Sequence, residues 1–550
     1  MESIENSNSF TQASASPNMA AHAPNYSEDW NRVFATNCNY NNPNNNFNNN
    51  IYNNTYNNTY NNNYNYNFNG AITYQKIKEP DTEATIRMKD NFVFFALSAF
   101  VYAVFYTFCM FQNDAGIAFL FFIIATLVFL CIVLKKLDMK LKKGSIFYFA
   151  AMLLLAISTF CTDDSRIIIF NKIGIFLLMM SLLLRQFYDT SEWKLGKHLS
   201  SIFYTAFGSF SQILRPFKDA KKYVSTKGIK TGNLKYMLLG TAIAVPFLIM
   251  VVALLSSADV FFSQMTSNLI DSFSDVESFA DMFIRTVVVF MGVYLLIAYL
   301  CKHTLNENVT DMRNGEPLLA ITITVLLTAV YILFAGIQIF GLFLGKLELP
   351  EGYTYAQYAR EGFFQLLAVS ILNLILVLVC LSFFRESKVL KVILAIMSLC
   401  TYVMIASSTV RMIMYINSYD LTFLRILVLW TLGLLAFLFL GVLIYIFRER
   451  FPLYRYSIII VTVLYLVLSF SHPDYIIAKV NVQKQTVDYE YLNTLGADAA
   501  PVLIPYIYEN KLVKTEKYYL KEIDRDEKSL GIRTFNVARY TASKIKNNYS

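Results

Sequence analysis

Six charged residues stand beside long apolar segments, where their side chains could bind a ligand or one another. They are Asp259, Arg360, Glu361, Arg411, Asp420 and Arg425. A charge near membrane depth is costly, so it usually faces a partner or a water-filled cavity. Three arginines in one cavity would favour an anionic ligand such as a lipid phosphate. The pattern fits a rim of ion pairs and helix caps, or an outward-facing ligand pocket, and the sequence leaves both open.

Arg425 is the most informative of the six, because it falls in the first turn of a predicted helix. The partial positive charge of a helix N-terminus disfavours a cation at that position. We therefore predict that a carboxylate compensates Arg425. Asp420 is close to it in sequence, and Glu361 is the second candidate.

Metal and cofactor chemistry is not indicated by the sequence. It has no glycine-rich phosphate-binding loop, and its four histidines and seven cysteines form no cluster with metal-ligand spacing. We expect the cysteines to act as small hydrophobic side chains, and we expect no metal and no cofactor. A single carboxylate, Asp259 or Glu361, could serve as a general base, which keeps an enzyme among the alternatives.

The elements that must position these residues are membrane helices. Hydrophobic residues make up 55% of the chain and charged residues only 16%, and the mean hydropathy is +0.42. Soluble domains carry about 25% charged residues. The apolar runs predict an all-α polytopic membrane protein with about eleven transmembrane helices. The predicted helices lie near 92–111, 115–134, 145–161, 167–184, 237–256, 282–301, 317–345, 363–384, 388–409, 422–447 and 457–470.

Lysine and arginine are concentrated in alternate gaps between these helices, as in residues 135–143 and 185–236. By the positive-inside rule those gaps are cytoplasmic. The pattern predicts a bacterial cytoplasmic (inner) membrane protein with a cytoplasmic N-terminus and, after an odd number of spans, an extracytoplasmic C-terminus. The net charge of +8 comes in short clusters between apolar runs. We therefore expect contact with the lipid bilayer and its anionic headgroups, and no nucleic-acid binding.

Three regions are predicted along the chain. Residues 1–90 form a cytoplasmic Asn/Tyr-rich tail, which has too little aliphatic surface to fold. A disordered tail and a tail whose tyrosines mediate self-association both fit this composition. Residues 91–470 form the transmembrane helix bundle, and residues 471–550 form a small extracytoplasmic helical region. An apolar stripe marks this last region, at Leu492, Leu495, Ala499, Leu503 and Ile507, with Pro501 and Pro505 interrupting it.

The gap 185–236 contains its own amphipathic pattern. Apolar side chains at helical spacing are followed by three lysines, in the order Ile202, Phe203, Ala206, Phe207, Phe210, Ile213, Lys218, Lys221 and Lys222. The pattern predicts either a helix lying on the inner leaflet or a short helix packed between spans.

Isolated polar residues lie within or near the predicted spans, at Asn171, Lys172, Gln338 and Asn373. Such amides in membrane helices commonly bond across helices. We therefore expect the three amides to hold the bundle together rather than to bind a substrate.

Several segments resemble the signature of a bacterial polytopic membrane-protein family known only as a domain of unknown function. The most specific is Tyr355-Ala356-Gln357-Tyr358-Ala359-Arg360-Glu361-Gly362-Phe363-Phe364. Ser257-Ala258-Asp259, Tyr419-Asp420-Leu421-Thr422, Leu424-Arg425 and Pro473-Asp474 are similar to further parts of it. The resemblance covers about residues 90–510 and implies a membrane location, but no activity. Before Pro473 the family tends to have Asn, where this chain has Ser471-His472.

Three functions are compatible with these observations. The first is a non-enzymatic envelope sensor or assembly partner with an outward-facing polar cluster, favoured by the absence of catalytic motifs. The second is a transporter or flippase for an anionic or lipid-linked solute, favoured by the six charged residues. The third is a membrane enzyme acting on a lipid-linked substrate.

Overall fold

The computed structural model describes residues 81–226, 276–307, 313–343, 355–485, 487–528 and 531–549, with residues 255, 259 and 262. Within these residues the regular elements are helices, and one isolated bridge joins Gly315 to Phe384. In chain order they are α1 (Glu83–Asp90), α2 (Phe92–Met110), α3 (Ile117–Lys136), α4 (Ser145–Cys161), α5 (Ser165–Phe187), α6 (Leu195–Gly208), α7 (Arg215–Thr226), α8 (Val276–Cys301), α9 (Pro317–Gln338), α10 (Tyr355–Phe383), α11 (Lys388–Ser418), α12 (Phe423–Phe447), α13 (Leu453–Ser469), α14 (Pro473–Asn481), α15 (Tyr489–Leu492), α16 (Ala500–Glu509), α17 (Val513–Lys528) and α18 (Val537–Tyr549).

Eight of the described helices are long and apolar enough to cross a membrane, namely α2, α3, α5, α8, α9, α10, α11 and α12. Helices α13 and α14 pass the same test only as a pair, which bends by 52°, and α4 is a shorter apolar helix of 17 residues. The prediction of an all-α polytopic membrane protein is confirmed. The predicted count of eleven is not reached within the described residues, because α4 and α13 fall short of the test alone and the helix expected near 237–256 lies almost wholly outside them.

Helix α1 corrects the predicted extent of the N-terminal tail, which was placed at residues 1–90. The chain is helical from Glu83, because the side chain of Thr82 accepts a hydrogen bond from the Thr85 backbone N–H and caps the helix. Met88 is buried in the core of the bundle, and the Thr85 hydroxyl donates to the Cys301 carbonyl at 3.1 Å. The single apolar side chain that anchors this turn is too weak a periodic signal to identify from sequence.

The loops divide between two ends of the bundle. At the first, Lys142 Nζ donates to the Tyr188 carbonyl and Trp193 Nε1 to the Glu307 carbonyl. We call this the basic end, since it contains the lysine-rich loops after α3 and α5. The loops after α2, α4 and α11 and the bend between α13 and α14 lie at the opposite end, which we call the far end.

Lone amides hold the bundle together within the apolar layer, as predicted. The side chain of Asn171 donates to Thr159 Oγ1 at 3.0 Å and accepts from the hydroxyl of Tyr465 at 2.7 Å. Gln338 Oε1 accepts from Ser407 at 2.6 Å, and Asn373 donates to Thr401 at 3.0 Å. Each of these bonds joins two different helices, so these amides serve packing.

The C-terminal helices α14–α18 form a second apolar core at the far end. The five residues of the predicted stripe, Leu492, Leu495, Ala499, Leu503 and Ile507, are all buried in it. They come from α15, the connection after it, a 3-10 turn at Ala497–Ala499 and α16 rather than from one helix. Pro501 lies in the first turn of α16, where its missing N–H and fixed backbone angle are tolerated.

A short segment before α18 caps a membrane helix. The Ile117 N–H donates to the Phe535 carbonyl at 2.8 Å and the Ala118 N–H to the Arg533 carbonyl at 3.2 Å. The first N–H groups of a helix have no partner within the helix. Residues 533–536 therefore complete α3, and they join the C-terminal helices to the first helices of the bundle.

Candidate functional site at the far end

A buried cluster of charged residues joins the α4–α5 loop to the C-terminal helices. We call it the far-end cluster, and it consists of Asp163, Asp164, Arg166, His472, Asp474, Asp498 and Arg539. Each of its four carboxylate side chains is at most 8% exposed. Its members come from four elements that are distant in sequence, so the cluster forms only when the chain is fully folded.

Arg166 is held between two carboxylates. Its Nε and Nη2 donate to the two oxygens of Asp164 at 2.8 and 2.9 Å, and Nη2 also donates to Asp474. The guanidinium lies 4.0 Å from the centre of the Phe423 ring, which forms a cation–π contact. Asp164 also caps α5 by accepting from the Arg166 backbone N–H at 2.9 Å. The start of α5 is thereby bound to the start of α14.

Asp498 makes the second connection, from the 3-10 turn before α16 to the end of α4. Its Oδ2 accepts from the Thr162 hydroxyl at 2.6 Å and from the Asp163 N–H at 2.8 Å. Its Oδ1 lies 2.6 Å from His472 Nδ1. The hydrogen bond to Asp498 raises the pKa of His472 above its ordinary value, against an opposing effect of burial. The imidazole therefore holds its proton more strongly than a free histidine does.

Asp163 makes the third connection, to α18. Its Oδ1 accepts from Arg539 Nε at 2.6 Å, and its Oδ2 accepts from the Ala497 N–H at 3.3 Å. Burial raises the pKa of Asp163, while the charge of Arg539 acts in the opposite direction. Beside it, the fully buried amide of Asn536 donates to the carbonyls of Ala115 and Thr162 at 3.1 and 2.9 Å.

The charges of the far-end cluster do not balance. Four carboxylates face two arginines and one histidine, so the group carries net negative charge if all four are ionised, even when His472 is protonated. Buried like charges favour retention of protons. Within the described parts of the chain, no three His, Cys, Asp or Glu side chains are arranged to hold a metal ion. The arrangement is suited to docking two parts of the molecule and to taking up or releasing protons as they part.

The structure places the six residues predicted from sequence at several separate positions. Arg411 is buried within the bundle, where its Nη2 lies 3.3 Å from Gln338 Oε1 and its guanidinium fills the space beside Gly362 that a Cβ would occupy. Asp259 is exposed, and its Oδ1 accepts from the Phe262 N–H at 2.6 Å. The side chains of Arg360 and Glu361, in the first turns of α10, lie outside the described residues.

Asp420 and Arg425 are near each other in sequence, but the expected pairing is not what the structure contains. Asp420 lies 3.8 Å from Lys484 Nζ, and Arg425 instead lies over the Tyr415 ring at 4.3 Å. Lys484 Nζ also donates to the Ile416 and Tyr419 carbonyls at the end of α11, where the helix dipole favours a cation. Among the described residues no carboxylate lies within 4.0 Å of Arg425; the side chain of Glu361 is not among them.

Most of the far-end cluster was missed by sequence analysis. The Pro473-Asp474 motif was noted, but Asp163, Asp164, Asp498 and Arg539 were not. The available signal was the run Asp163-Asp164-Ser165-Arg166 between two apolar segments. Charges in so short a loop at a membrane surface require partners, although the sequence does not say where those partners are.

Comparison with known proteins gives one match. A family model described as "Domain of unknown function (DUF4153)" matches residues 149–506. No curated protein and no solved structure matches the chain. The matched range contains six members of the far-end cluster and excludes Arg539. It begins later than the expected residue 90, so that α2 and α3 lie outside it.

Proposed function

The chain belongs to this family of unknown function, and we propose that it is a non-enzymatic envelope protein, a sensor or assembly partner whose C-terminal helices report to the membrane bundle. The observation that carries the proposal is the far-end cluster. It buries four carboxylates at the junction between the two parts, where a purely mechanical contact would be served by apolar residues. Such a junction makes docking depend on protonation and on whatever binds the C-terminal helices.

The proposed location is the bacterial cytoplasmic membrane, with the basic end inside. The lysine-rich loops after α3 and α5 support this orientation by the positive-inside rule. The N-terminus would then be cytoplasmic, and the far-end cluster and C-terminal helices would face the extracytoplasmic space. Reporter fusions at Lys140 and Arg450 should be active in the cytoplasm, and a fusion after Ser550 should be active outside. Cytoplasmic activity of the last fusion would contradict the orientation.

The coupling would work through the loops that the C-terminal helices hold. Asp498 binds the end of α4, Arg539 binds Asp163, and residues 533–536 cap α3. If a partner pulls the C-terminal helices away, the start of α3 and the loop between α4 and α5 lose their hydrogen-bond partners together. An event on the C-terminal helices would thereby reach the bundle without movement of any ligand across the membrane.

Hydrogen exchange tests this coupling. The double variant Asp498→Asn with Arg539→Gln should raise amide exchange in α16–α18 and also in residues 113–118 and 162–166 of the bundle. The matched control is Lys546→Gln, which removes an ion pair to Asp524 within the C-terminal helices. Faster exchange confined to the C-terminal helices would show that nothing is transmitted, and the sensor proposal would fail.

A second function, transport or flipping of an anionic or lipid-linked solute, has one observation in its favour. Nη1 of Arg425 is buried and donates to no partner within the described part of the chain, which leaves a donor available to an anion. The residues predicted around it from sequence, Arg360, Glu361 and Asp420, would complete such a site. Proteoliposomes containing fluorescent phosphatidylglycerol would test it. Lipid flipping that Arg425→Gln abolishes would favour the transporter, and no flipping above protein-free vesicles would reject it.

A further inference from the structure

Helices α6 and α7, with the 3-10 turn at Ser209–Gln212 between them, expose a continuous apolar face. Eight large side chains on this segment are between 53% and 65% exposed. They are Leu199, Phe203, Tyr204, Phe207, Phe210, Ile213, Leu214 and Phe217. Contiguous apolar surface of this kind marks a site of contact with a membrane or a partner.

The opposite face of the same segment is polar and buried. It consists of His198, Ser201, Thr205, Ser209 and Gln212. The His198 ring stacks on Tyr454 with ring centres 3.6 Å apart, and a Cβ at Gly208 would lie 2.7 Å from the Tyr299 ring. In α7, the buried Asp219 accepts from the Tyr294 hydroxyl and from Arg215 Nε, both at 3.1 Å. The protein therefore holds the polar face, which fixes the aromatic face outward.

This orientation decides between the two structures that the sequence left open. A short helix packed between spans would bury its phenylalanines, whereas here the polar residues are inside. Segments with this inverted arrangement are stable only where the outer medium is apolar. The segment follows α5 directly and contacts α8, so it lies at the basic end of the bundle.

The charged residues next to the aromatic face indicate which apolar medium surrounds it. Lys218, Lys221 and Lys222 follow the aromatic face on α7, and all three are exposed. Lysines beside an aromatic face are the arrangement that interfacial helices use, with the rings among the acyl chains and the ammonium groups among the headgroups. Clustered lysines at a membrane surface attract anionic lipids.

We propose that residues 195–226 lie in the boundary between headgroups and acyl chains at the basic end, and that Lys218, Lys221 and Lys222 gather anionic phospholipid around Phe203, Phe207 and Phe210. The inference depends on the membrane location of the chain and not on the sensor function. The protein would thereby have a surface that responds to the lipid composition of one leaflet, separate from the far-end cluster.

Fluorescence quenching in nanodiscs tests the proposal. A tryptophan introduced by Phe207→Trp should be quenched by lipids brominated on their acyl chains, after subtraction of the parent spectrum. At equal mole fraction, we expect brominated phosphatidylglycerol to be favoured over brominated phosphatidylcholine by at least about fivefold at this position. The matched control is Phe176→Trp, on the lipid-facing side of α5 and 47% exposed, which should show little preference. Phe210→Trp gives a second position if the first variant is poorly folded.

The lysines supply the decisive comparison. Replacing Lys218, Lys221 and Lys222 together by Gln should abolish the preference for phosphatidylglycerol and leave the quenching itself intact. Absence of quenching at both 207 and 210 would mean that another part of the protein covers the face, and would overturn the proposal. Quenching with equal preference for the two lipids, unchanged in the triple variant, would overturn the anionic selectivity.

Discussion

The two ends of the bundle handle charge in opposite ways. At the basic end, Arg313 and Lys391 alternate with Glu386 and Glu449 in a ring of four ion pairs, each between 2.5 and 3.3 Å. This basic-end ring is balanced, and its carboxylates are the solvated members, since Glu386 and Glu449 are 51% and 34% exposed while Arg313 is 11% exposed. In the far-end cluster the carboxylates are buried, each at most 8% exposed, and they outnumber the cations. Balanced, solvated pairs can be lost at little cost, whereas a buried and unbalanced group ties its elements together and responds to protons.

The largest expected effect is at Asp498. Its carboxylate serves Thr162, the Asp163 N–H and His472, all of them at or near the buried junction. Removing one member of a buried charged network costs about 3–5 kcal/mol, because the remaining groups lose their partners in a desolvated site. Asp498→Ala should therefore lower the free energy of unfolding in mixed detergent by about that amount. Glu386→Ala, in the basic-end ring, is the comparison; equal losses for the two variants would erase the distinction between the ends.

The next effect is the coupling between Asp163 and Arg539. Residues in one buried network show interaction energies of about 0.5–3 kcal/mol in double-mutant cycles. We expect a value in the upper half of that range for Asp163→Asn with Arg539→Gln, measured by unfolding. The exposed pair Asp281 and Arg285, 2.8 Å apart on α8, should give about 0.3–0.5 kcal/mol. Additive losses at the far end would show that the pair acts as two independent contacts.

A smaller effect concerns the dependence of stability on pH, which should have opposite signs at the two ends. The pKa of His472 is raised, so its contribution to stability is fully present below its ordinary pKa and is lost as pH rises through the higher folded value. The raised pKa of Asp163 acts in the same direction at acid pH. The melting temperature of the C-terminal helices should therefore rise as pH falls from 9 to 6.

His472→Asn is the suitable variant for this test. His472 has a φ of 48°, in the left-handed region where Asn is well tolerated. The replacement keeps the backbone and removes the titrating group, so it should flatten the dependence on pH. A slope that persists in the variant would assign the proton uptake to another group.

The smallest effect is expected at Glu449 in the basic-end ring. Burial acts to raise the pKa of Glu449, but its hydrogen bonds and the charges of Lys391 and Arg313 outweigh this and lower it to about 2. Its contribution is therefore present above its ordinary pKa and is lost only as pH falls towards 2. Glu449→Gln should cost about 0–1 kcal/mol, less at high salt, with no change in slope between pH 9 and 6. A large loss would mean that the ring is structurally essential.

The sequence was sufficient to predict the elements that have a recognisable local pattern. Membrane helices are recognised by about 20 apolar residues, and the stripe of the C-terminal region by its helical spacing. The buried amides were recognised because each is an isolated polar residue in an apolar run. The far-end cluster has no such pattern, because Asp163 and Arg539 are 376 residues apart. The expected pairing of Arg425 with Asp420 was wrong for a similar reason. Asp420 instead lies beside Lys484, which follows α14 in the C-terminal region, and the sequence around Asp420 could not indicate this contact.

The cap that residues 533–536 place on α3 has a consequence for biogenesis. The Asn113 side chain and the Arg533 carbonyl that it binds are 420 residues apart. At 5–20 residues per second, roughly 20–80 s separate the synthesis of these two groups. During that interval α3 sits in the bilayer with its first N–H groups bound only to water or lipid. A chain that stops before residue 533 never supplies these carbonyls, so the start of α3 stays without its cap and every such molecule differs from a finished one at the same N–H groups.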